Sequence, residues 1–169
     1  MIRAVRRPVP LPVGPGQESV WDYPRPPALE ASTRHVVIRA GELVIADTHA
    51  AWRVLETSHP PTWYVPPADV RTELLRPSDA AGSPCEWKGA ATYWDVVTPD
   101  AVLRAALWSY PSPTPRFAAL AGAFTGYPAV LECTVDGERA RPQDGGFYGG
   151  WITSEVVGPF KGGPGSWGW

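Results

Sequence analysis

Proline places the strongest constraint on how this chain can fold, because it makes up 21 of the 169 residues. Proline breaks α-helices and is excluded from the middle of β-sheets. The sequence therefore predicts a mainly β fold of short antiparallel strands and hairpins. One or two short helices and long loops rich in proline and glycine complete the predicted structure.

The length of the chain indicates one domain with a short N-terminal lead-in. Residues 1–16 carry three arginines and four prolines and lack the apolar stretch of a secretory signal. We expect a flexible lead-in there and a single domain over residues 17–169. The sequence has no apolar run long enough to span a membrane, which takes about 18 residues.

The composition also bounds the partners and the location of the protein. The net charge of −2 gives no general attraction to nucleic acid or to an anionic membrane. We expect a cytoplasmic monomer or homodimer whose partner is a small molecule. We expect no nucleic-acid partner and no membrane partner.

Two hairpins are predicted from β-branched and apolar segments on either side of turn residues. The first covers His35–Asp47 and turns at Gly41 and Glu42. The second covers Val130–Arg141 and turns at Asp136-Gly137, a dipeptide suited to a type I′ turn. Further short strands are predicted at Trp63–Val65 and Tyr93–Val97.

Helical signals are weaker. Pro67 followed by Ala68–Leu75 predicts two helical turns with proline at the first position. Thr98 and Pro99 before Ala101–Leu107 are typical of an N-cap and a helix. The same segment could instead return as a hairpin strand along Val102–Tyr110, and the residues alone leave both structures open.

Residues 144–169 combine nine glycines with Phe, Tyr and Trp side chains. Glycine permits unusual backbone angles and close approach, while the aromatic rings supply flat apolar surface. This composition predicts a built surface or pocket. Residues 158–166 superficially resemble a phosphate-binding loop, but they lack its residue order and its framing strand and helix.

The candidate ligand-binding residues are mainly Trp and Tyr, which combine apolar area with a hydrogen-bond donor. Packing in the core is the alternative for each of them. The aromatic set consists of Trp21, Tyr23, Tyr64, Trp87, Tyr93, Trp108, Tyr110, Tyr127, Phe147, Tyr148 and Trp151, and all of these except Trp87 and Tyr127 are taken as ligand-binding candidates. The polar candidates are Arg25, Ser58, Lys88 and Lys161.

Candidate catalytic residues are Glu56 and His59, which precede two prolines, and Lys88, three residues after Cys85. A glutamate base, a histidine that titrates near neutrality and a lysine beside a thiol are groups that enzymes use. Their spacing matches no known nucleophile motif. The alternative is a rigid turn with a solvated lysine.

We expect no metal site and no cofactor. The two cysteines, Cys85 and Cys133, do not form a CxxC pair, and the acidic residues are scattered. The two cysteines could form a disulfide, but a reducing compartment disfavours one.

Several sequence blocks together resemble a known family, domain-of-unknown-function family 427, whose members are mostly bacterial. The resemblance covers about residues 17–169. The blocks are Glu18–Pro27, Ala46–Thr48, Arg53–Pro61, Cys85–Trp94, Ala106–Pro111, Gly145–Thr153 and Gly158–Gly162.

This resemblance implies a compact β-structure similar to the β-tent class. That class includes the ligand-binding domain of cereblon, with its tryptophan cage, and B-type methionine sulfoxide reductases. Such relatives commonly hold zinc with four cysteines; this chain has two, so we expect no zinc. Similar sequences have a strand–turn–strand before Trp108, which favours the hairpin over a helix at 99–107.

Three functions are compatible with these features. The first is a small-molecule binding module with an aromatic-lined pocket. The second is an enzyme of undescribed type using Glu56, His59 or Lys88, in keeping with the family's nucleotidyltransferase-like label. The third is a protein-interaction module with an aromatic face. The clustered aromatics without a recognisable catalytic set favour the first.

Overall fold

A computed structural model describes residues 6–169 and shows short strands joined by turns and four 3₁₀ segments in this part of the chain. The strands are β1 (Glu18–Ser19), β2 (Ala28–Ala31), β3 (Val36–Ala40), β4 (Leu43–Thr48), β5 (Trp52–Leu55), β6 (Thr62–Tyr64), β7 (Leu75–Pro77), β8 (Ser83–Cys85), β9 (Gly89–Val97), β10 (Val102–Ser109), β11 (Phe124–Gly126), β12 (Glu132–Val135), β13 (Glu138–Arg139), β14 (Arg141–Pro142), β15 (Trp151–Ile152) and β16 (Val156–Val157). The 3₁₀ segments are Val20–Asp22, Pro67–Asp69, Thr72–Leu74 and Pro115–Leu120.

Three antiparallel sheets form the body of the protein. The largest has the order β11-β10-β9-β7, with β8 paired to β9. A second has the order β13-β12-β3-β4, and a third the order β2-β5-β6. Strands β14 and β15 form an antiparallel pair, while β1 and β16 pair in parallel. The prediction of a mainly β fold is confirmed.

The main core lies where the faces of these sheets meet. It contains Ile38, Ile45, Val96 and Leu107, all fully buried. Two backbone hydrogen bonds between Val65 and Phe124 connect the end of β6 to β11, at 2.7 and 2.9 Å. The three-stranded sheet is thereby fixed beside the largest sheet, and a pocket forms between them.

Both predicted hairpins are confirmed. Strands β3 and β4 pair in antiparallel orientation with Gly41 in the turn, at a φ of 60°. Strands β12 and β13 pair around Asp136 and Gly137, whose φ values are 49° and 81°. Positive φ at both central residues is what a type I′ turn requires.

The predicted helix over Ala68–Leu75 is wrong. The chain forms two separate 3₁₀ segments there, because Val70 forms a bridge with Ala46 and the Arg71 amide donates to the Ile45 carbonyl at 2.8 Å. These bonds to β4 take the place of continued helical ones. In residues 6–169 no helix combines the length and hydrophobicity needed to cross a membrane.

The segment before Trp108 is a hairpin strand, as the family resemblance predicts. Strand β10 pairs with β9 after a turn in which Thr98 and Ala101 exchange hydrogen bonds. The register shifts between Leu103 and Leu107, and Ala105 there has a φ of 47°. The helix indicated by the local sequence does not form, because β9 provides a partner strand for this segment.

Part of the predicted lead-in, residues 1–5, lies outside the described residues. Within the described part, the Leu11 amide donates to the Gly158 carbonyl at 2.9 Å, so the lead-in contacts the C-terminal segment. The side chains of Val9, Leu11 and Val13 are exposed.

Trp151 is a central core residue and supports the first prediction. Its side chain is fully buried, and its indole N–H donates to the Gly126 carbonyl at 3.0 Å. Trp151→Phe removes this donor and leaves a buried carbonyl unpaired. We expect a loss of about 1–3 kcal/mol in the free energy of unfolding, measured by urea denaturation.

Trp167→Phe is the matched control, because that ring is 88% exposed. The control should change the free energy of unfolding by less than about 0.5 kcal/mol. Equal effects of the two substitutions would contradict the role assigned to the indole bond.

Candidate functional site

A pocket of about 420 Å³ opens between the largest sheet and the three-stranded sheet. Its floor comes from alternate residues of paired strands, because side chains on one face of a strand recur every second position. Ala91 and Tyr93 come from β9, while Trp108 and Tyr110 come from β10 and the residue after it. Tyr93 and Trp108 are direct cross-strand neighbours.

Seven aromatic side chains contribute to the lining of this pocket. The Trp108 and Tyr127 rings lie 4.5 Å apart, and the Phe147 and Tyr148 rings lie 5.4 Å apart. Burial raises the pKa of Tyr110 and of Tyr127, so both remain neutral phenols at physiological pH. The aromatic residues that line the pocket are Trp87, Tyr93, Trp108, Tyr110, Tyr127, Phe147 and Tyr148.

The glycines of the C-terminal segment give the pocket one of its walls. A Cβ atom on Gly149 would overlap the Trp108 ring, whose Cζ3 atom would lie 2.6 Å away. A Cβ atom on Gly150 would lie 2.5 Å from both the Gln143 side chain and the Pro60 ring. Glycine at these two positions lets the backbone lie directly against its neighbours, which is the close approach predicted from the composition.

Gln143 holds this wall in place through its buried amide group. Its Oε1 accepts a hydrogen bond from the Gly150 amide at 3.1 Å, and its Nε2 donates to the Lys161 carbonyl at 2.7 Å. These two bonds fix the orientation of the amide. The Nε2 group therefore also donates to Nδ1 of His59, at 3.1 Å.

His59 and Glu56 continue this network on the opposite side. Because Nδ1 of His59 accepts from Gln143, Nε2 carries the proton and donates to Oε2 of Glu56 at 2.8 Å. Burial alone would raise the pKa of Glu56. The hydrogen bond from His59 and the positive charges nearby, including those of Arg25 and Lys88, outweigh it and hold that pKa below its ordinary value, so Glu56 is a carboxylate.

Lys88 presents a positive charge to the pocket. Its ammonium lies 5.4 Å from the centre of the Tyr110 ring and 5.9 Å from that of Tyr64, distances typical of cation–π contacts. Burial lowers the pKa of Lys88, but the acidic groups of Tyr64, Cys85 and Glu56 raise it above its ordinary value. The side chain is therefore an ammonium ion at neutral pH.

Two further cations reach the pocket from other segments. Lys161 donates to the Trp169 carbonyl at 3.1 Å and lies 5.9 Å from the Tyr148 ring centre. Arg25 donates to the Thr57 carbonyl at 2.8 Å and is otherwise exposed. The structure thus brings Arg25, Lys88 and Lys161 together, three residues that the sequence analysis selected separately.

Two of the predicted ligand residues lie at the N-terminal edge instead of the pocket. The Trp21 indole donates to the Pro159 carbonyl at 2.9 Å. The Tyr23 hydroxyl donates to Glu18 at 2.7 Å, and burial raises its pKa. Both side chains tie the start of the domain to other segments.

Ser58, Tyr64 and Trp151 lie behind the pocket lining. Ser58 is fully buried at a φ of 72° and accepts the Lys161 amide at its carbonyl, at 2.8 Å. Tyr64 is buried beneath Lys88. These positions, and that of Trp151 in the core, let the three residues shape the pocket without forming its surface.

Gln143 is a pocket residue that the sequence analysis did not select. A lone glutamine between a proline and an aspartate gives no signal in one sequence, since its role depends on residues 84 and 18 positions away. Tyr127 and Trp87 also line the pocket. Their aromatic character was the only available signal, and it does not separate a lining residue from a core residue.

The two cysteines are free thiols and lie in different parts of the protein. Cys85 lines the pocket, while Cys133 is buried in the core, where burial raises the pKa of its thiol. Within residues 6–169 no three His, Cys, Asp or Glu side chains are grouped so that they could hold a metal ion.

A second, smaller cavity of about 220 Å³ is lined by paired charges. Arg53 binds Glu18 and Glu30, and Arg34 binds Glu155. Both guanidinium groups also lie within 6 Å of the Trp63 ring centre, at 5.8 and 5.9 Å. This network joins β1, β2 and β5, and its charged groups are paired with one another.

The sequence model of a family described as Domain of unknown function (DUF427) matches residues 28–139. The chain belongs to this family. No curated protein matches the chain. The matched segment of this DUF427 protein includes Glu56, His59, Lys88 and Trp108, so one side of the pocket is built from family sequence.

The opposite wall of the pocket lies beyond that segment. Gln143, Phe147, Gly149 and Lys161 all follow residue 139. The family match is thus shorter than the resemblance over residues 17–169, and the glycine-rich wall comes from the part of this DUF427 protein that the family model does not cover.

The close contact of Gly149 with Trp108 leads to a prediction about stability. In Gly149→Ala the added methyl group must displace the Trp108 ring or the backbone of the wall. We expect a loss of about 1–3 kcal/mol in the free energy of unfolding, measured by urea denaturation, because overpacked sites cost this much.

Gly163→Ala in the same glycine-rich segment is the control. The nearest atom to a Cβ there is 3.8 Å away, so the methyl group has room. We expect a change of less than about 0.5 kcal/mol. An unperturbed Gly149→Ala protein would show that the wall does not rest on Trp108.

The lowered pKa of Glu56 leads to a prediction about pH. A carboxyl group with a lowered pKa stabilises the fold above its unfolded value, near 4.5, and this contribution disappears as the pH falls through the folded value. We expect Glu56→Gln to cost about 1–2 kcal/mol at pH 7 and progressively less below pH 4.5.

The measurement is urea denaturation of both proteins between pH 3 and pH 7. Glu42→Gln, on an exposed turn, is the control and should follow the wild type throughout. A cost for Glu56→Gln that stays constant with pH would contradict an ionised Glu56 bound to His59.

Proposed function

We propose that this DUF427 protein is a small-molecule binding module and that the aromatic-lined pocket is its binding site. The observation that carries the proposal is the pocket itself: about 420 Å³, with seven aromatic side chains and three cations in its lining. This volume is within the range of ligand sites, which is about 300–1,000 Å³. Aromatic rings beside placed polar and charged groups are also found in such sites.

The role of the hydrogen-bonded network favours binding over catalysis. Both ring nitrogens of His59 are engaged, one with Glu56 and the other with Gln143. A histidine that acts as a general acid or base needs a nitrogen free to exchange a proton with substrate. In this protein the same groups hold the two sides of the pocket together.

The proposal predicts a ligand that stabilises the protein through Phe147. A thermal-shift screen would test nucleosides, nucleotides, sugars, cyclic imides and common metabolites. A ligand at 100 times its dissociation constant adds about 2.7 kcal/mol and raises the melting temperature by several degrees. We expect Phe147→Ala to reduce that shift, because its ring lines the pocket.

Trp167→Ala is the matched control, since both aromatic rings are exposed, by 61% and 88%, and Trp167 does not line the pocket. It should keep the full ligand-induced shift. A shift that survives Phe147→Ala unchanged would place the ligand elsewhere. A screen without any dose-dependent shift would count against a small-molecule site.

A further inference from the structure

We propose that the pocket takes a flat aromatic carboxylate, a monoanion whose negative charge pairs with the Lys88 ammonium while its ring lies against the aromatic walls. This proposal deepens the proposed function and rests on it. It names the chemical class of the ligand, which the pocket's size alone does not define.

The first support is the state of the Lys88 ammonium. The side chain is half-buried, and its positive charge rests on the faces of Tyr64 and Tyr110. Among residues 6–169, no carboxylate lies within 4 Å of this ammonium, as it does for Arg34, Arg53 and Arg76. A partly desolvated cation with no carboxylate in direct contact gains most from an added anion.

The second support is the balance of charge in the lining. Within the described part of the chain the lining holds three cations, Arg25, Lys88 and Lys161, and two carboxylates, Glu56 and Glu86. These five side chains together leave one excess positive charge. A single excess charge matches a carboxylate better than a phosphate, which carries up to two negative charges at neutral pH.

The third support is the shape and chemistry of the walls around Lys88. Tyr110 lies directly below the ammonium, and Trp108, two residues earlier on the same strand face, continues the aromatic surface. The Trp108 ring is fixed by the Gly149 backbone on one side and by Tyr127 on the other. Fixed, flat surfaces next to a cation favour a ligand with a planar ring beside its charge.

The test compares four probes by isothermal titration calorimetry on the full chain. 2-Naphthoate has the ring and one negative charge, and 2-naphthamide has the same ring without charge. 2-Naphthyl phosphate carries the larger charge, and cyclohexanecarboxylate has the carboxylate without the aromatic ring. We expect 2-naphthoate to bind most tightly, at least about 10-fold more tightly than each of the others.

Three variants connect this preference to the lysine. Lys88→Met removes the charge and keeps the length, and should weaken 2-naphthoate binding about 10- to 100-fold while leaving 2-naphthamide unchanged. Lys88→Arg keeps the charge and should restore most of the affinity. Arg104→Met, which removes an exposed cation outside the pocket, should bind all four probes like the wild type.

A measurement on the wild type makes the test independent of how the variants fold. Lys88 and Lys161 are the only lysines in the chain, so acetylation of each can be followed separately by mass spectrometry. We expect 2-naphthoate to slow acetylation of Lys88 and 2-naphthamide not to slow it.

The outcomes separate this proposal from the proposed function. If 2-naphthamide binds as tightly as 2-naphthoate, or if Lys88→Met binds both equally, the carboxylate class is wrong while the small-molecule pocket stands. Tighter binding of 2-naphthyl phosphate would overturn the monoanion assignment in favour of a phosphate. If no probe binds and Lys88 is never protected, the carboxylate class fails, whereas the pocket function fails only if the broader thermal-shift screen also gives no dose-dependent shift.

Discussion

The side-chain amide of Gln143 is the interaction on which the pocket depends. Its bonds to Gly150, to the Lys161 carbonyl and to His59 reinforce segments that the pairing of β14 with β15 and the bond from the Lys161 amide to the Ser58 carbonyl also join. The Gly150 amide needs an acceptor and the Lys161 carbonyl needs a donor, so the Gln143 amide can adopt one orientation only. In that orientation Nε2 donates to Nδ1 of His59, and the ring proton of His59 lies on Nε2. A buried, fully satisfied polar network of this kind specifies one arrangement more sharply than apolar contact does.

Proline and glycine affect the structure of this protein in different ways. The many prolines fit the short strands, because all strands except β9 and β10 have six residues or fewer, and the fold consists of several small sheets in place of one large sheet. The glycines act where two surfaces must touch without a side chain between them. Gly149 against Trp108 is the clearest case, since the space that a methyl group would need is occupied by the indole ring.

The sequence was sufficient for those features that depend on near neighbours. The two hairpins follow from turn residues and alternation, and the positive φ values at Asp136 and Gly137 are what that dipeptide predicts. The helix expected after Pro67 failed, because a hydrogen bond to Ile45, 26 residues earlier in the chain, took its place. Long-range pairing of this kind leaves no local trace, and the relation to the β-tent class stays a prediction.

The candidate site was predictable only in part, because the sequence shows residue types but not the long-range contacts between them. Lys88, Trp108 and Phe147 were selected by residue type, and the structure gathers them around one pocket. Residue type could not separate them from Trp151, an equally aromatic residue that the core encloses. Nor could it find Gln143, whose importance comes entirely from the groups that the fold brings to it.

The two sides of the pocket come from distant parts of the chain, and this has a consequence for synthesis. Lys88 and Trp108 are made well before Gln143 and Lys161, so a growing chain holds half a pocket whose aromatic floor is still open to water. Such open apolar surface is what chaperones recognise in unfinished proteins. The pocket is therefore complete only after residues 143–161, which supply the glycine-rich wall, have been made and have folded against the floor.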